Sequence, residues 1–470
     1  MNWRPVLFGS VSALCLAVST LVGRAADDSA SVPHRTVSVD TLNVAPVASD
    51  YPVGFSLLTH PPDQFVAYYD KDHRLTVAQR KLDARKWVFT KLPDTTGWDS
   101  HNFIALTADD DGYLHLCADM HASPLVYFRT ATPWDASTFK RIAQMTGVNE
   151  EHCTYPDFMR GVSNVLLFTY RDGGSGNGNQ LYNQYDLKTQ TWHPFLDAPL
   201  TDGQGTNNAY FNGPVRGPDG WFHLAWVWRA KSDAATCHDL SYARSRDLQH
   251  WETSAGQPLA LPIRLATCEI IDPVPEHGGM INGNTKLGFD VANRVTISYH
   301  KNDTNGNTQP YVIRLEDGHW VEHQVTDWPA PAIFKGTGTL PKEIHLGGVH
   351  TNSDGRLTMA FDHFIFGHGN WVLDPQSLHA IDTIVPETNQ LDEVTGSFPG
   401  LTVHWAGDEG KSGVEGLHYR LRWETLGANR DRRPSGVLPK PAMLQLIATQ
   451  WTPAEKNSVK NTTNDVVVPK

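Results

Sequence analysis

Short apolar runs recur along the whole chain, each broken by Gly, Asp, Asn or Pro, and no long stretch carries helical periodicity. From Tyr51 four such runs follow closely: G-F-S-L-L-T, Q-F-V-A-Y-Y-D, L-T-V-A-Q-R-K-L and K-W-V-F-T-K-L. They read as one meander of four antiparallel strands. The stretch from Trp98 to Arg129 follows, with two apolar runs on either side of Asp109-Asp110-Asp111-Gly112, a tight turn between paired strands. His101 opens the first of these strands and His121 lies just past the second. The start of one strand lies beside the end of its antiparallel partner, so the two histidines are expected at one end of the sheet.

The pattern repeats. Tyr155 opens a strand, Gly161 to Asn164 turn it, and Arg171 closes the return. Tyr210 and Arg229 occupy the same places in the next hairpin. Asn282 and Asn284 open a further one that His300 closes. Each time the polar groups sit at the open end, and the turn end is plain Asp, Asn and Gly. An aromatic residue marks the outer strand of successive units at Trp87, Phe139, Trp192, Trp251 and Trp320. Five meanders are clear to about residue 326, and two weaker ones span His345 to Val385 and Leu401 to Glu424.

Seven four-stranded antiparallel sheets set radially make an all-β, seven-bladed β-propeller. A strand at Thr36 to Val44 would complete the last sheet. The expected organisation is a signal peptide over 1–25, a lead over 26–47 with that closing strand, a propeller over 48–430, and a C-terminal tail over 431–470 that wraps the outside or is partly disordered. A two-domain β-sandwich is the structural alternative.

Arg4, the apolar run Val6 to Val22 and the small-residue site Gly23-Arg24-Ala25 make an export signal, with an uncleaved anchor as the alternative. The chain is then secreted or periplasmic, with no membrane association after signal cleavage, and is expected to be a monomer. A net charge of -12 argues against nucleic acid as a partner but leaves room for an acidic substrate in a local cationic pocket. Beyond Cys15, Cys117, Cys153, Cys237 and Cys268 remain, either as free buried thiols or with one bridge, Cys237 to Cys268. Their spacing matches no zinc motif.

Radial sheets would bring His101, His121, Tyr155 and Arg171 to one mouth, with Tyr210, Arg229, Asn284 and His300 as substrate contacts around them. His115 and His223 alternate into strand interiors and read as core residues, and Arg216, Arg244 and Arg246 as solvated or paired. For Trp226 and Trp228, stacking on a sugar and core packing stay open. The segment from Tyr170 to Gln180 superficially resembles a phosphate loop, but it lacks Lys-Ser/Thr and is followed by a strand, so it binds no nucleotide. Such a Gly-rich loop at the mouth would let a polymer approach the backbone.

A tyrosine, two histidines and one or two arginines, without a close carboxylate pair, fit glycoside hydrolysis poorly. They suit β-elimination from a uronic acid. There a cation offsets the carboxylate as the enediolate forms, a base takes the C5 proton and an acid protonates the departing O4. Arg171 would neutralise the carboxylate, and His or Tyr would serve as base and acid.

The motifs W-D-S-H-N, M-H-x-x-P-L-x-Y-F-R-T, C-T-Y-P, T-Y-R-D-G-G-S-G-N-G-N-Q-x-Y-N, H-D-L-S-Y-A-R-S and I-N-G-N-T-K resemble the BNR-repeat-containing seven-bladed propeller family over about residues 50–430. That family includes ulvan lyases and enzymes that remove L-rhamnose α-1,4-linked to D-glucuronate. The resemblance implies an acidic polysaccharide substrate and a lyase site at His101, His121, Tyr155 and Arg171, with Arg229 as a subsite contact. It leaves base and acid open between His121 and Tyr155. No cofactor is implied for the chemistry, but a structural calcium near the central channel is, although no dedicated ligand motif for it stands in the sequence. The S-x-D-x-G-x-x-W box of the repeat survives only as fragments such as Ser353-Asp354-Gly355. Related α-L-rhamnosidases on the same scaffold, and a non-catalytic glycan-binding propeller, are the alternatives.

Overall fold

A computed structural model of the chain describes residues 34–340, 343–386 and 389–453. The expected signal peptide and the last residues of the tail lie outside this range. The described residues form strands and a few single-turn 3-10 segments, with no α-helix among them. No described helix is long and apolar enough to cross a membrane.

The strands make seven antiparallel sheets, and hairpins between sequence neighbours account for most of the pairings. The first sheet runs Ser56–His60, Asp63–Tyr69, Arg74–Lys81 and Val88–Thr95. The second holds Ala105–Ala108, Leu114–Cys117, Tyr127–Thr130 and Phe139–Ile142. The third is built on Cys153–Arg160, Leu166–Gly174, Asn177–Asp186 and Thr191–Pro194. The fourth is built on Asn208–Arg216, Phe222–Arg229 and Cys237–Ser245. Lys286–Phe289 and Val295–Asn302 begin the fifth, and Ile344–Thr351 and Leu357–His363 the sixth. The third and fourth sheets carry six strands each, where four were expected, because short segments add to them.

The seventh sheet draws on both ends of the chain. Leu401–Ala406 pairs with Leu417–Leu426, which pairs with Ala442–Pro453, and His34–Val47 pairs on the far side of that last strand. The tail expected from Asp431 therefore does not merely wrap the outside: Met443 to Ile447 alternate enough apolar positions to form a sheet strand with Leu444 and Leu446 buried. The loop after Ala406 then hydrogen-bonds to the first sheet, Glu409 N to Leu57 O at 2.9 Å and Lys411 N to Thr59 O at 2.9 Å.

Apolar residues of neighbouring sheets pack in successive clusters. Leu167, Trp226 and Trp228 join the third and fourth sheets, Val227, Tyr242 and Ile297 the fourth and fifth, and Val312, Ile344 and Met359 the fifth and sixth. Trp226 and Trp228 are fully buried, which settles them as core. His115 and His223 are core residues as well, bonded to Tyr127 Oη at 2.7 Å and Tyr242 Oη at 2.6 Å. Arg244 pairs with Glu252, and Arg244 and Arg246 both lie over the ring of Trp221. Cys117, Cys153, Cys237 and Cys268 make no disulfide among the described residues, so the Cys237–Cys268 bridge does not form.

Candidate active site

The site begins with a turn. Asp99 Oδ1 accepts the backbone N–H of His101 at 2.9 Å, and Asn102 N–H closes the turn on Asp99 O at 3.2 Å. Asn102 is locked beneath by Thr96, Asp119 and the hydroxyl of Tyr69. His101 thus lies in this turn, ahead of the strand Ala105–Ala108 it was expected to open. The route of His121 also differs from a simple hairpin end. Asp119 and Ala122 adopt left-handed backbone, with φ of 54° and 52°, and swing the chain out of the second sheet. His121–Ser123 then forms a short strand on the third sheet, with His121 opposite Thr154.

The two imidazoles stack with centroids 4.1 Å apart. One carboxylate holds both. Asp99 Oδ1 lies 2.7 Å from His101 Nδ1, and Asp99 Oδ2 lies 2.5 Å from His121 Nδ1. Burial alone would raise the Asp99 pKa, but the two histidine hydrogen bonds outweigh it and hold the carboxyl well below the usual carboxylate range. Asp119, behind His101, goes the other way: burial, with Asp94 and Asp99 nearby, pushes it up to about 6.

Tyr155 sits in a β-bulge. The register of Cys153–Arg160 against Leu166–Gly174 slips between Thr154 and Asp157, and Tyr155 has φ of 57°. A bulge re-aims one side chain out of the alternation. Here it sets the Tyr155 ring 5.8 Å from His101 and 6.3 Å from Tyr210. Burial raises the Tyr155 pKa and Tyr210 adds to it, while Arg171 and Arg229 oppose the shift. The phenol keeps its proton at neutral pH.

The Arg171 guanidinium lies over the rings of Tyr155, at 4.8 Å, and Tyr210, at 5.7 Å. It is 2% exposed, donates to Tyr210 Oη at 3.3 Å and Gly173 O at 3.3 Å, and leaves Nη2 without a partner. No described carboxylate forms an ion pair with it. A buried cation of this kind retains an unmet need for an anion. Two glycines of the next turn are closely packed. A Cβ on Gly178 would stand 2.7 Å from Arg171 Cδ, and one on Gly176 would stand 2.6 Å from Lys231 Cα.

Of the four outer positions, two join this cluster. Tyr210 bonds to Ser175 Oγ at 2.8 Å, and Arg229 lies over the Tyr210 ring at 5.6 Å while donating to Asn282 Oδ1 and to the carbonyls of Lys231 and Ser232. Asn284 and His300 do not. Each is 1% exposed, and Asn284 Nδ2 meets His300 Nε2 at 3.0 Å and Ile344 O at 2.6 Å. His300 Nδ1 is spent on Gly279 O at 2.7 Å. With both ring nitrogens engaged and the pair sealed between the fifth and sixth sheets, their expected place as substrate contacts is corrected to an internal tie.

Three side chains escaped the sequence reading. Asp99 was visible inside W-D-S-H-N, two residues before His101. Thr339 and Asp431 had no local signal. Thr339 Oγ1 donates to Asp431 Oδ1 at 2.7 Å and approaches His101 Nδ1 at 3.4 Å.

Asp99, His101 and His121 are also the one group of three ligand-type side chains brought together among the described residues. The implied calcium does not fit it, because calcium takes six to eight oxygens and this set is mostly nitrogen. In the strand Cys153–Arg160, Asp157 has an unpartnered Oδ2 and feels Glu409. Two carboxylates do not supply calcium's ligand number either.

An all-β chain of antiparallel sheets whose strand ends gather two stacked histidines, a tyrosine and a buried arginine belongs to the BNR repeat-containing family: that family's model matches residues 63–328, more than half the chain. Among curated proteins, a segment is similar to the long isoform of ulvan lyase from Pseudoalteromonas sp. (strain PLSV), 28% identical over 134 residues. The match spans 24% of this chain and 12% of that protein's length. Among solved structures, the fold is similar to that of polysaccharide lyase Uly1, with TM-score 0.56 and 15% identity over 93% of this chain and 96% of the other. It is also similar to an ulvan lyase bound to -[GlcA(1-4)Rha3S]-, with TM-score 0.53 and 13% identity over 87% and 97%.

Proposed function

We propose that this chain is an exported polysaccharide lyase that cleaves a glucuronate-containing glycan by β-elimination at a rhamnosyl-glucuronate link. The observation that carries this reading is Arg171, a buried guanidinium without a carboxylate partner, stacked on Tyr155 beside the two histidines. In the reading, the seven sheets are blades of one ring and the site lies at its mouth.

Arg171 receives the uronate carboxylate and offsets the charge that spreads into it when C5 loses its proton. His121 takes that proton at Nε2, which has no protein hydrogen bond among the described residues. His101 is the more committed ring, since Thr339 and Asp431 crowd its Nδ1. The C4–O4 bond breaks as the C4–C5 double bond forms, and the Tyr155 phenol, still protonated, donates to O4. Each proton lost is matched by one delivered, so no redox partner is needed. The curated relative named ulvan lyase and the solved ulvan lyase bound to a glucuronate-rhamnose sulfate support the same substrate class.

The test is to incubate the protein with ulvan and, in parallel, with gum arabic, following free rhamnose and ultraviolet absorbance together. Rising absorbance marks the conjugated double bond and supports elimination. Rhamnose release without absorbance would mean hydrolysis and end the mechanism. Binding of either polymer without turnover would make the chain a glycan-binding protein.

A further inference from the structure

We propose that Asp99 is a positioning residue that fixes the tautomer of both histidines, holding each as an Nδ1–H imidazole with Nε2 left free to accept a proton. The inference rests on the lyase reading for its kinetic consequence, but its geometry stands apart from it. An ionised carboxylate only accepts hydrogen bonds, so a ring nitrogen at 2.7 Å or 2.5 Å from it must carry the hydrogen. The neighbouring hydroxyl does not compete. Thr339 has one proton and gives it to Asp431 Oδ1, which leaves His101 Nδ1 as the donor to Asp99.

The two oxygens of Asp99 have different duties. Oδ1 accepts both the backbone N–H and the Nδ1–H of His101, whereas Oδ2 serves His121 alone. The other ionisable groups facing the pair are Asp431, whose Oδ1 stands 3.7 Å from His101 Nδ1, beyond hydrogen-bond reach, and Tyr155. Asp99 is therefore the single anion bonded to both rings.

Asp99→Asn separates the two duties. The amide oxygen stays where two N–H groups of His101 point, so the turn survives. The amide NH2 takes the place of Oδ2 and faces His121 Nδ1, which must then accept. His121 is driven to the Nε2–H tautomer and loses its proton-accepting nitrogen, whereas His101 is unchanged.

The full chain labelled with 15N-histidine, with resonances assigned through His101→Gln and His121→Gln, reads the tautomers directly. Wild type is expected to show Nδ1–H for both rings. Asp99→Asn is expected to move His121 alone to Nε2–H, with kcat on ulvan lower by about a hundredfold or more and KM within about threefold. A wild-type ring in the Nε2–H form overturns the inference, and that measurement needs no variant to fold. So does an Asp99→Asn protein in which His121 keeps Nδ1–H, or one whose kcat stays within about threefold of wild type. If wild type leaves ulvan and gum arabic untouched but the tautomer switches, the lyase reading fails and the assignment of Asp99 stands.

Discussion

Two groups of histidines sit near hairpin ends in different sheets of the molecule. Around the second and third sheets, His101 and His121 keep about a quarter of their side-chain surface exposed and spend only Nδ1 on the protein. Between the fifth and sixth sheets, His300 is 1% exposed and spends both nitrogens, one on Asn284 and one on Gly279. Place in the hairpin is shared; free valence is not. A histidine can do chemistry only where the fold leaves it an unpaired nitrogen and a path to solvent.

The largest separation of the two regions is expected from Arg171→Ala. It should lower kcat/KM on ulvan by about a thousandfold, while stability falls only by the lost ring packing and two hydrogen bonds, about 1–3 kcal/mol. Steady-state kinetics and calorimetry check both halves of that statement. His300→Ala should do the reverse. Removing the ring takes a buried hydrogen bond from Asn284 Nδ2 and another from Gly279 O, a loss of about 2–3 kcal/mol in denaturant unfolding with kcat unchanged. A drop in kcat with normal stability would put His300 back at the mouth.

Gly178→Ala tests whether the turn beyond Arg171 holds the guanidinium in place. The added methyl would meet Arg171 Cδ, and a displacement of less than an ångström should cost about tenfold in kcat/KM. Asp157→Asn gives the smallest effect and one confined to pH. Burial, with Glu409 nearby, pushes the Asp157 carboxyl up to about 8, above its ordinary value of about 4. Between those values the folded state holds a proton that the unfolded state has released, so wild-type stability falls as pH rises through this window. The variant should melt about 2–4 °C higher than wild type at pH 8, and the difference should shrink toward pH 4.

The strand pattern made the sheets legible because alternation and turn chemistry are local. It also pointed His101, His121, Tyr155 and Arg171 toward one another, since the open ends of consecutive hairpins lie close to where all four stand. What it missed is how they get there. The bulge that turns Tyr155 and the crossing of His121 to the third sheet come from left-handed residues with no distinctive composition: Asp119, Ala122 and Tyr155 itself. The sealing of Asn284 depends on a carbonyl sixty positions away at Ile344, and the crowding of His101 on Thr339 and Asp431, from loops distant in the chain. The last meander looked weak because one of the four strands of the seventh sheet, His34–Val47, comes from the far end of the chain, and another, Ala442–Pro453, follows a long loop.

That seventh sheet has a consequence for how the molecule comes into being. Its edge strand, His34–Val47, is made long before its partner, Ala442–Pro453. Until Ala442–Pro453 has been made the early segment has no strand partner, and its ladder of backbone groups must be kept from wrong pairings. Closure is a late, slow event set by the longest separation in the chain, and a nascent protein stalled before residue 442 would carry an open seam beside an otherwise folded body.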